Sequence, residues 1–458
     1  MPRFLLLFLT LVALFNLSRV LREPLPGPDR PMDFRTCYVG QAVLHQGQNP
    51  YADDALKAGW QRITRQEHLI SRTQPGLPNL PFLYPPWAAA LFGLTVGWLA
   101  YAVAWPLWYV LALLSLGLLA RLWAVVIFAE NTPSVPWWQF LLAAVALKGT
   151  VPALLTGQPT FVALALGVGA LAVGSWAESA KKCSAPRAES APATPIRNTV
   201  ALAVEAAAES FTAVKNRGDI TPNPSKIRLN LQMVAGLLLG LAAFKVTLLL
   251  PFAAWFLWKK QWLTLATAAA VVVLLSVLAW HWAAFPASLL PTYQHLLAQV
   301  RAQSFNPTDP DYPLTQGMTL RLELANVLEW LRPDSEAWHI PLHAALWLGT
   351  GLRLVRWRRQ GRQMANWYIF LILSILTLLT TYHLYYDAVL LLPLLAFGRR
   401  LPLRRQWLLL ALLLPLLLPL NGIALALGNP VAWHFVYFMM PVALLGVLVL
   451  LLMEPVEV

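Results

Sequence analysis

Apolar residues in this chain come in long unbroken runs, not in the alternating or one-faced patterns of soluble elements. The first run extends from Phe4 to Val20. Others cover roughly 84–101, 104–128, 137–156, 160–177, 231–258 and 261–284, then 341–357, 364–382, 384–398, 406–427 and 431–453. About 20 apolar residues suffice for a helix to span a bilayer. The pattern therefore predicts an all-α polytopic membrane protein, one integral domain over 1–458, with about twelve transmembrane helices. The run 384–398 is short for a full span. No small-x-small cleavage site follows the first run, and Arg19 and Arg22 flank it, so it is expected to be a retained span. Three polar segments interrupt the pattern. Residues 22–83 and 285–339 are too long for turns between spans and read as folded or surface-lying segments. Residues 178–230, rich in Ala, Ser, Pro, Lys and Glu, read as a flexible insert with one helix near 198–215. No internal repeat is found.

Composition agrees with the pattern. The 458 residues are 58% hydrophobic and 12% charged, against about 25% charged in ordinary soluble domains. This excludes a disordered chain, a disulfide scaffold and a typical cytosolic enzyme. Cys37 and Cys183 are far apart, with no metal-ligand spacing around them, and read as two unpaired thiols.

The net charge of +13 would ordinarily raise nucleic acid as a partner. Its distribution argues otherwise. Lys259 and Lys260, Arg353, Arg356, Arg358, Arg359 and Arg362, and Arg399, Arg400, Arg404 and Arg405 form three loop clusters with no acidic residue among them. By contrast, 22–83 carries seven basic and six acidic residues, and 285–339 carries three and six. Lys and Arg accumulate on cytoplasmic loops. The N-terminus is thus expected to be cytoplasmic, and 22–83 and 285–339 form two extracytoplasmic segments. One conflict remains. Strict alternation also puts 178–230 outside, although it holds eight basic and five acidic residues. The pattern would reverse if 231–258, with Lys245 in its middle, were a pair of half-crossings, provided another such change lay upstream.

Candidate chemistry lies on the outer side. Asp33, just after the first span, could serve as a general base at the membrane surface, or be an ordinary solvated acid. Tyr84, in Tyr84-Pro85-Pro86, reads equally as an aromatic-belt residue. Gln158 breaks two apolar runs and could simply satisfy a helix end. Lys245 is costly in an apolar stretch, and intramembrane ionisable residues are functional candidates by default. His383, Tyr385, Tyr386 and Asp387 share one short outer turn and could bind a lipid phosphate and a sugar. Asp53-Asp54 and Asp309-Pro-Asp311 look like metal-site acids but read better as chance patterns. No phosphate-cradling glycine loop, nucleophile elbow or zinc motif is present.

Taken in order, several short motifs resemble a known family. They are Asp33-Phe34 with Tyr38, Gly47-x-x-Pro50-Tyr51, Tyr84-Pro85-Pro86, Gly157-Gln158, Gly236 to Lys245, and His383 to Asp387. Over about residues 30 to 395 the chain looks like glycosyltransferase family 87, the bacterial polyprenyl-phosphate-mannose-dependent mannosyltransferases of the GT-C superfamily. Two departures stand out. The family often has Lys-Pro where this chain has Lys245-Val246, and the nearest matches to an Asn-x-Ser-type motif are Asn306 and Gln316-Gly317. The resemblance implies a GT-C fold, a polyprenyl-phosphate sugar donor, a glycolipid or glycan acceptor, inversion at the sugar carbon, and an active site on the extracytoplasmic side of the bacterial cytoplasmic membrane. Asp33 would be the catalytic base. Lys245, His383 and Tyr385, with Arg35 behind them, would bind the substrate phosphate. Tyr84 would line the lipid entrance, and Gln158 joins the substrate-binding set. No metal and no cofactor are required. The competing readings are a multispan transporter or lipid flippase, which the missing repeat disfavours, and a structural partner in an envelope complex, which leaves Lys245 and the His383–Asp387 cluster unexplained.

Overall fold

The computed structural model describes residues 3–22, 31–67, 82–129, 135–183, 224–284, 286–304, 321–332, 335–381, 383–418 and 430–457. The expected helix near 198–215, Asn306, Asp309, Asp311, Gln316, Gly317 and Tyr382 lie outside them. Among the described residues the regular elements are all helices, and β pairing is confined to two isolated bridges.

Helix α1 (Arg3–Arg22) begins beside Trp407 and reaches the level of Ala146, whose carbonyl accepts from the Asn16 side chain at 3.0 Å. Helices α2 (Met32–His45) and α3 (Asp53–Gln66) follow; α3 buries Leu56, Trp60 and Ile63 and turns its charges outward. Helix α4 (Pro86–Thr95) is only ten residues long. Phe82, just ahead of it, packs on Gly40. Just beyond it, the Tyr38 hydroxyl donates to the Leu99 carbonyl at 2.5 Å. The Glu67 carboxylate accepts the Tyr101 and Ala102 N–H groups at 2.6 and 2.8 Å, satisfying unpaired donors at the start of α5 (Tyr101–Phe128). Both ends of α4 therefore stay beside α2 and α3.

Helix α5 crosses the bundle, and α6 (Trp137–Ala146) and α7 (Thr150–Leu155) return in two pieces. Helix α8 (Thr160–Cys183) packs on α9 (Pro224–Ala242), which ends where the Trp87 indole donates to the Ala243 carbonyl at 3.0 Å. Helix α10 (Val246–Trp258) leads back to Lys259, which pairs with Glu178 at 3.3 Å. Helix α11 (Trp262–Trp282) returns to set Trp282 against Gly93 and His45. Gly236 and Gly240 bring α9 close to α11, with Thr267 and Val271 where their side chains would be. Such close backbone approach replaces hydrophobic drive in membrane packing. Then come α12 (Pro286–Ser304), α13 (Ala325–Leu331), α14 (Glu336–Arg359), α15 (Asn366–Thr380), a 3-10 helix (Tyr385–Leu391), α16 (Leu394–Arg400), α17 (Leu403–Leu417) and α18 (Pro430–Met453).

Helices α5, α8 and α11 are long and apolar enough to cross a membrane alone. Shorter apolar stretches occur in α1, α4, α6, α10, α15 and α18. Helix α15 is buried at every residue from Trp367 to Thr380 and forms the centre. Leu113, Leu114, Val273, Leu274, Leu348 and Leu352 are exposed on outer helices. So large an apolar surface marks contact with lipid, and the chain is an all-α integral membrane protein. One end of the bundle carries Asp33, Glu67, Gly157 and Trp282. The other carries the basic loops, tied by Arg362 to Glu457 at 3.5 Å, by Arg405 to Glu454, and by Arg399 to Gln139 at 2.7 Å.

Two apolar runs behave differently from the sequence expectation. Run 84–101 does not cross the bundle, because α4 ends at Thr95 and the chain is held back by Tyr38 and Glu67. Run 231–258 holds parts of two helices, α9 and α10, separated at 243–245. The two changes offset each other, as the charge conflict required. They also reverse the direction of the chain between them, so the insert leaves α8 at the basic end, where Glu178 meets Lys259.

The expected outcome is testable in oriented membranes with a Cys183→Ser background. Ser190→Cys and Gln360→Cys should react with an impermeant maleimide from one side, and Lys57→Cys from the other. Labelling of Ser190→Cys and Lys57→Cys from the same side would contradict the observed path.

Candidate active site

Asp33 is the second residue of α2, where backbone N–H groups have no intrahelical acceptor. The Asp33 and Phe34 N–H groups both donate to the Thr156 carbonyl, at 2.9 and 3.3 Å. The receiving turn, 156–158, depends on Gly157, which has φ +70° and whose missing Cβ would fall 2.7 Å from the Phe34 Cβ. A side chain there would be strained and would push α2 away. The Trp108 indole fixes the turn by donating to the Gly157 carbonyl at 2.9 Å. The Asp33 carboxylate, half-buried, lies close to the side chains of Thr156 and Gln158, which themselves donate to the Pro152 carbonyl at 3.0 Å and to the Tyr386 hydroxyl at 3.1 Å.

From Gln158 the contacts run inward. Its side-chain amide donates to the Tyr386 hydroxyl at 3.1 Å. The backbone of Tyr385 and Tyr386 presses on Gly149, where a Cβ would clash. The Lys245 ammonium lies 4.8 Å from the Tyr386 ring centre. It donates to Asp387 Oδ1 at 2.6 Å and to the Thr160 hydroxyl at 2.5 Å. The other carboxylate oxygen of Asp387 lies 2.9 Å from His383 Nδ1. Three side chains, Lys245, Thr160 and His383, thus meet around one carboxylate.

The two acids differ in their surroundings. Asp387 is 3% exposed and held by an ammonium on one oxygen and an imidazole on the other. Asp33 has no such partner at contact distance. It lies in the segment between α1 and α4, outside the apolar runs. There burial pushes its carboxyl up to about 6, against the lowering by Thr156, Gln158 and the more distant Lys245. Such a group changes protonation near neutral pH, as a general base must. The set also offers donors to an anion. An ammonium has three N–H donors, and Lys245 uses two. His383 Nε2 is buried with no hydrogen-bond partner among the described residues; with Nδ1 donating to Asp387, it becomes a donor to an anion only when the ring carries a second proton.

Of the residues singled out in the sequence, Asp33, Gln158, Lys245, His383 and Tyr385 fall in this one region. Tyr84 joins them, close to Cys37, one turn after Asp33, and near Asp33 and Tyr386. Arg35 is buried with its guanidinium over the Trp60 ring, 5.2 Å from its centre, in the packing between α2 and α3. Tyr386 and Asp387, from the same turn as His383, complete the set; two members, Thr160 and Lys148, were not singled out. Lys148 carried the same signal as Lys245, an ionisable residue within an apolar run. It is 3% exposed, 5.9 Å from the Tyr385 ring centre. Among the described residues no group of His, Cys, Asp and Glu could hold a metal ion.

The fold and this region define a polytopic membrane protein with a buried, charge-bearing polar site at one end of its helix bundle. The sequence profile of glycosyltransferase family 87 matches residues 82–185 and 211–381, and the chain belongs to that family. The unmatched interval falls within the polar insert; His383–Asp387 lie just beyond the matched residues, while Asp33 lies 49 residues before residue 82, where the match begins. No curated protein and no solved structure matches the chain significantly.

Removing one partner of a buried ion pair leaves an uncompensated charge and costs about 3–5 kcal/mol. Asp387→Asn should therefore lower the thermal stability of the purified protein strongly. The double variant Lys245→Met/Asp387→Asn should recover a large part of the loss. Equal melting of the wild-type and Asp387→Asn proteins would show that the pair contributes little to the fold.

Proposed function

We propose that this glycosyltransferase moves a sugar, mannose by its family likeness, from a polyprenyl-phosphate carrier to a hydroxyl of a glycolipid or glycan acceptor. The reaction inverts the sugar carbon and takes place at the outer face of the bacterial cytoplasmic membrane. In this reading twelve passes cross the bilayer: α1, α5, α6 with α7, α8, α9, α10, α11, α14, α15, the 3-10 helix with α16, α17 and α18. The basic loops face the cytoplasm, and Asp33 faces outward.

The observation that carries the reading is a carboxylate with its pKa near 6, docked beside cationic and hydrogen-bonding groups that could receive a phosphate. Asp33 takes the proton from the acceptor hydroxyl as its oxygen bonds to the anomeric carbon. The bond from that carbon to the phosphate oxygen breaks, and the electron pair leaves with the lipid phosphate. Charge developing there is stabilised by fixed donors in a water-poor site, which Lys245, Tyr385 and His383 in its doubly protonated form provide, with Gln158 and Tyr84 shaping the space between. Arg35 acts from behind, through the α2–α3 packing that sets the angle of Asp33. Asp387 is unsuited to be the base, since both its oxygens are engaged.

General-base catalysis contributes about 10²–10⁴-fold. Asp33→Asn should lower transfer of radiolabelled sugar by that factor while leaving the protein folded and able to bind donor. In the wild type, kcat/KM should fall as pH drops through about 6, because only the deprotonated carboxylate accepts a proton. Full transfer by Asp33→Asn, or a rate flat across that range, would remove Asp33 from the chemistry.

A further inference from the structure

His383 is held by more than Asp387. Helix α15 ends at Thr380, and the last carbonyls of a helix have no donor within it. A short extended segment, 321–324, supplies donors there from just ahead of α13. The Leu324 N–H donates to the Leu379 carbonyl at 2.8 Å, and the Leu322 N–H donates to the His383 carbonyl at 2.9 Å. Arg321 pairs with Leu384 in an antiparallel bridge. His383 is thus fixed twice, by its ring on Asp387 and by its main chain on Leu322.

The same segment carries a buried ion pair that the site described above does not use. The Arg321 guanidinium and the Glu323 carboxylate lie 3.2 Å apart, with side chains 1% and 7% exposed. Alternate residues of an extended strand share a face. Arg321 and Glu323 therefore project together, and Leu322, fully buried, projects to the other side. A positive charge is favourable beside the C-terminal turn of a helix such as α15, and Glu323 supplies its counter-charge. For stability alone, a well-packed apolar pair would serve as well or better. What a buried ion pair adds is a fixed register. A slip of one residue would exchange the two faces of the strand. It would turn both charges to the side of Leu322 and move the Leu322 N–H away from the His383 carbonyl.

We propose that Arg321 and Glu323 are positioning residues for His383. They fix the register of 321–324, and the backbone bond from Leu322 then sets where the His383 ring stands. Neither residue is required to touch substrate. The proposal rests on the reaction given above, in which His383 stabilises charge that develops as the bond from sugar to phosphate breaks. It also brings the segment between α12 and α14 into the working of the site, through main chain and not through a further polar contact.

The test is a double-mutant cycle on sugar transfer by the full chain in nanodiscs, with radiolabelled polyprenyl-phosphate mannose as donor. Its four members are the wild type, Arg321→Gln, His383→Ala and the double variant. Arg321→Gln should lower kcat by up to about 10²-fold, the cost of a small misplacement of a reacting group. The KM for donor should change little, because the lost interaction belongs to the transition state. His383→Ala should keep measurable transfer, since Lys245 and Tyr385 remain. In that background Arg321→Gln should have no further effect, because the residue it positions is gone. Arg321→Lys should recover part of the loss. Glu323→Gln should repeat the pattern, and its own cycle with His383→Ala replaces the first if Arg321→Gln does not fold. Equal losses with and without His383 would show a general structural role and overturn the proposal. Full activity in folded Arg321→Gln and Glu323→Gln would overturn it too, and both results would leave the proposed reaction standing. Wild-type transfer by His383→Ala would instead remove His383 from that reaction, and the positioning role with it.

Discussion

The contact between Lys245 and Asp387, at 2.6 Å, sits where three stretches of chain meet, two of which depart from regular α-helix. One is the break between α9 and α10, which Lys245 itself occupies with φ −115° and ψ 78°. Another is the first turn of α8, where Thr160 joins the pair. The third is the 3-10 helix that carries Asp387. Irregular backbone at this depth is tolerated only inside protein or along a polar cavity, and charges there persist only when paired. The pair therefore fixes which segments must touch. Once it is made, Tyr386 is delivered to Gln158, and through Gln158 the interior is linked to Asp33.

This arrangement separates two carboxylates that the sequence presents as similar loop acids. Asp387 keeps a full set of partners and is locked into structure. Asp33 is docked by its backbone, on Thr156 and Gly157, which leaves its carboxylate near Thr156 and Gln158 with no adjacent cation among the described residues. Environments that push paired acids apart are how one site assigns a base and a spectator. Here the assignment follows from which atom holds each residue in place: side chain for Asp387, main chain for Asp33.

Much of this was legible in the sequence for a simple reason. Burying a charge among apolar residues is expensive enough that Lys245 stood out without any structure. Asp33 did not stand out physically; its position after the first span and the family likeness singled it out. Lys148 does not stand out in the sequence because the run 137–156 reads as one uninterrupted span, whereas the chain breaks between α6 and α7 and packs Gly149 beneath Tyr386. Arg35, expected close behind the phosphate-binding groups, stacks on Trp60. Helix periodicity would have allowed that, since two residues apart on α2 point Arg35 and Asp33 to different faces.

The path of the chain carries a more general point about reading spans. A run of apolar residues records composition and says nothing of whether the helix inside it turns back. Run 84–101 turns back after ten helical residues, and run 231–258 hides a reversal at Lys245. Because one run crosses too few times and the other too many, a count of runs cannot reveal either error. Charge can, because basic residues resist transfer to the outer side wherever they occur in the chain. The excess of basic residues in 178–230 contradicted strict alternation, and the Glu178–Lys259 pair lies where the charge, not the run count, placed it.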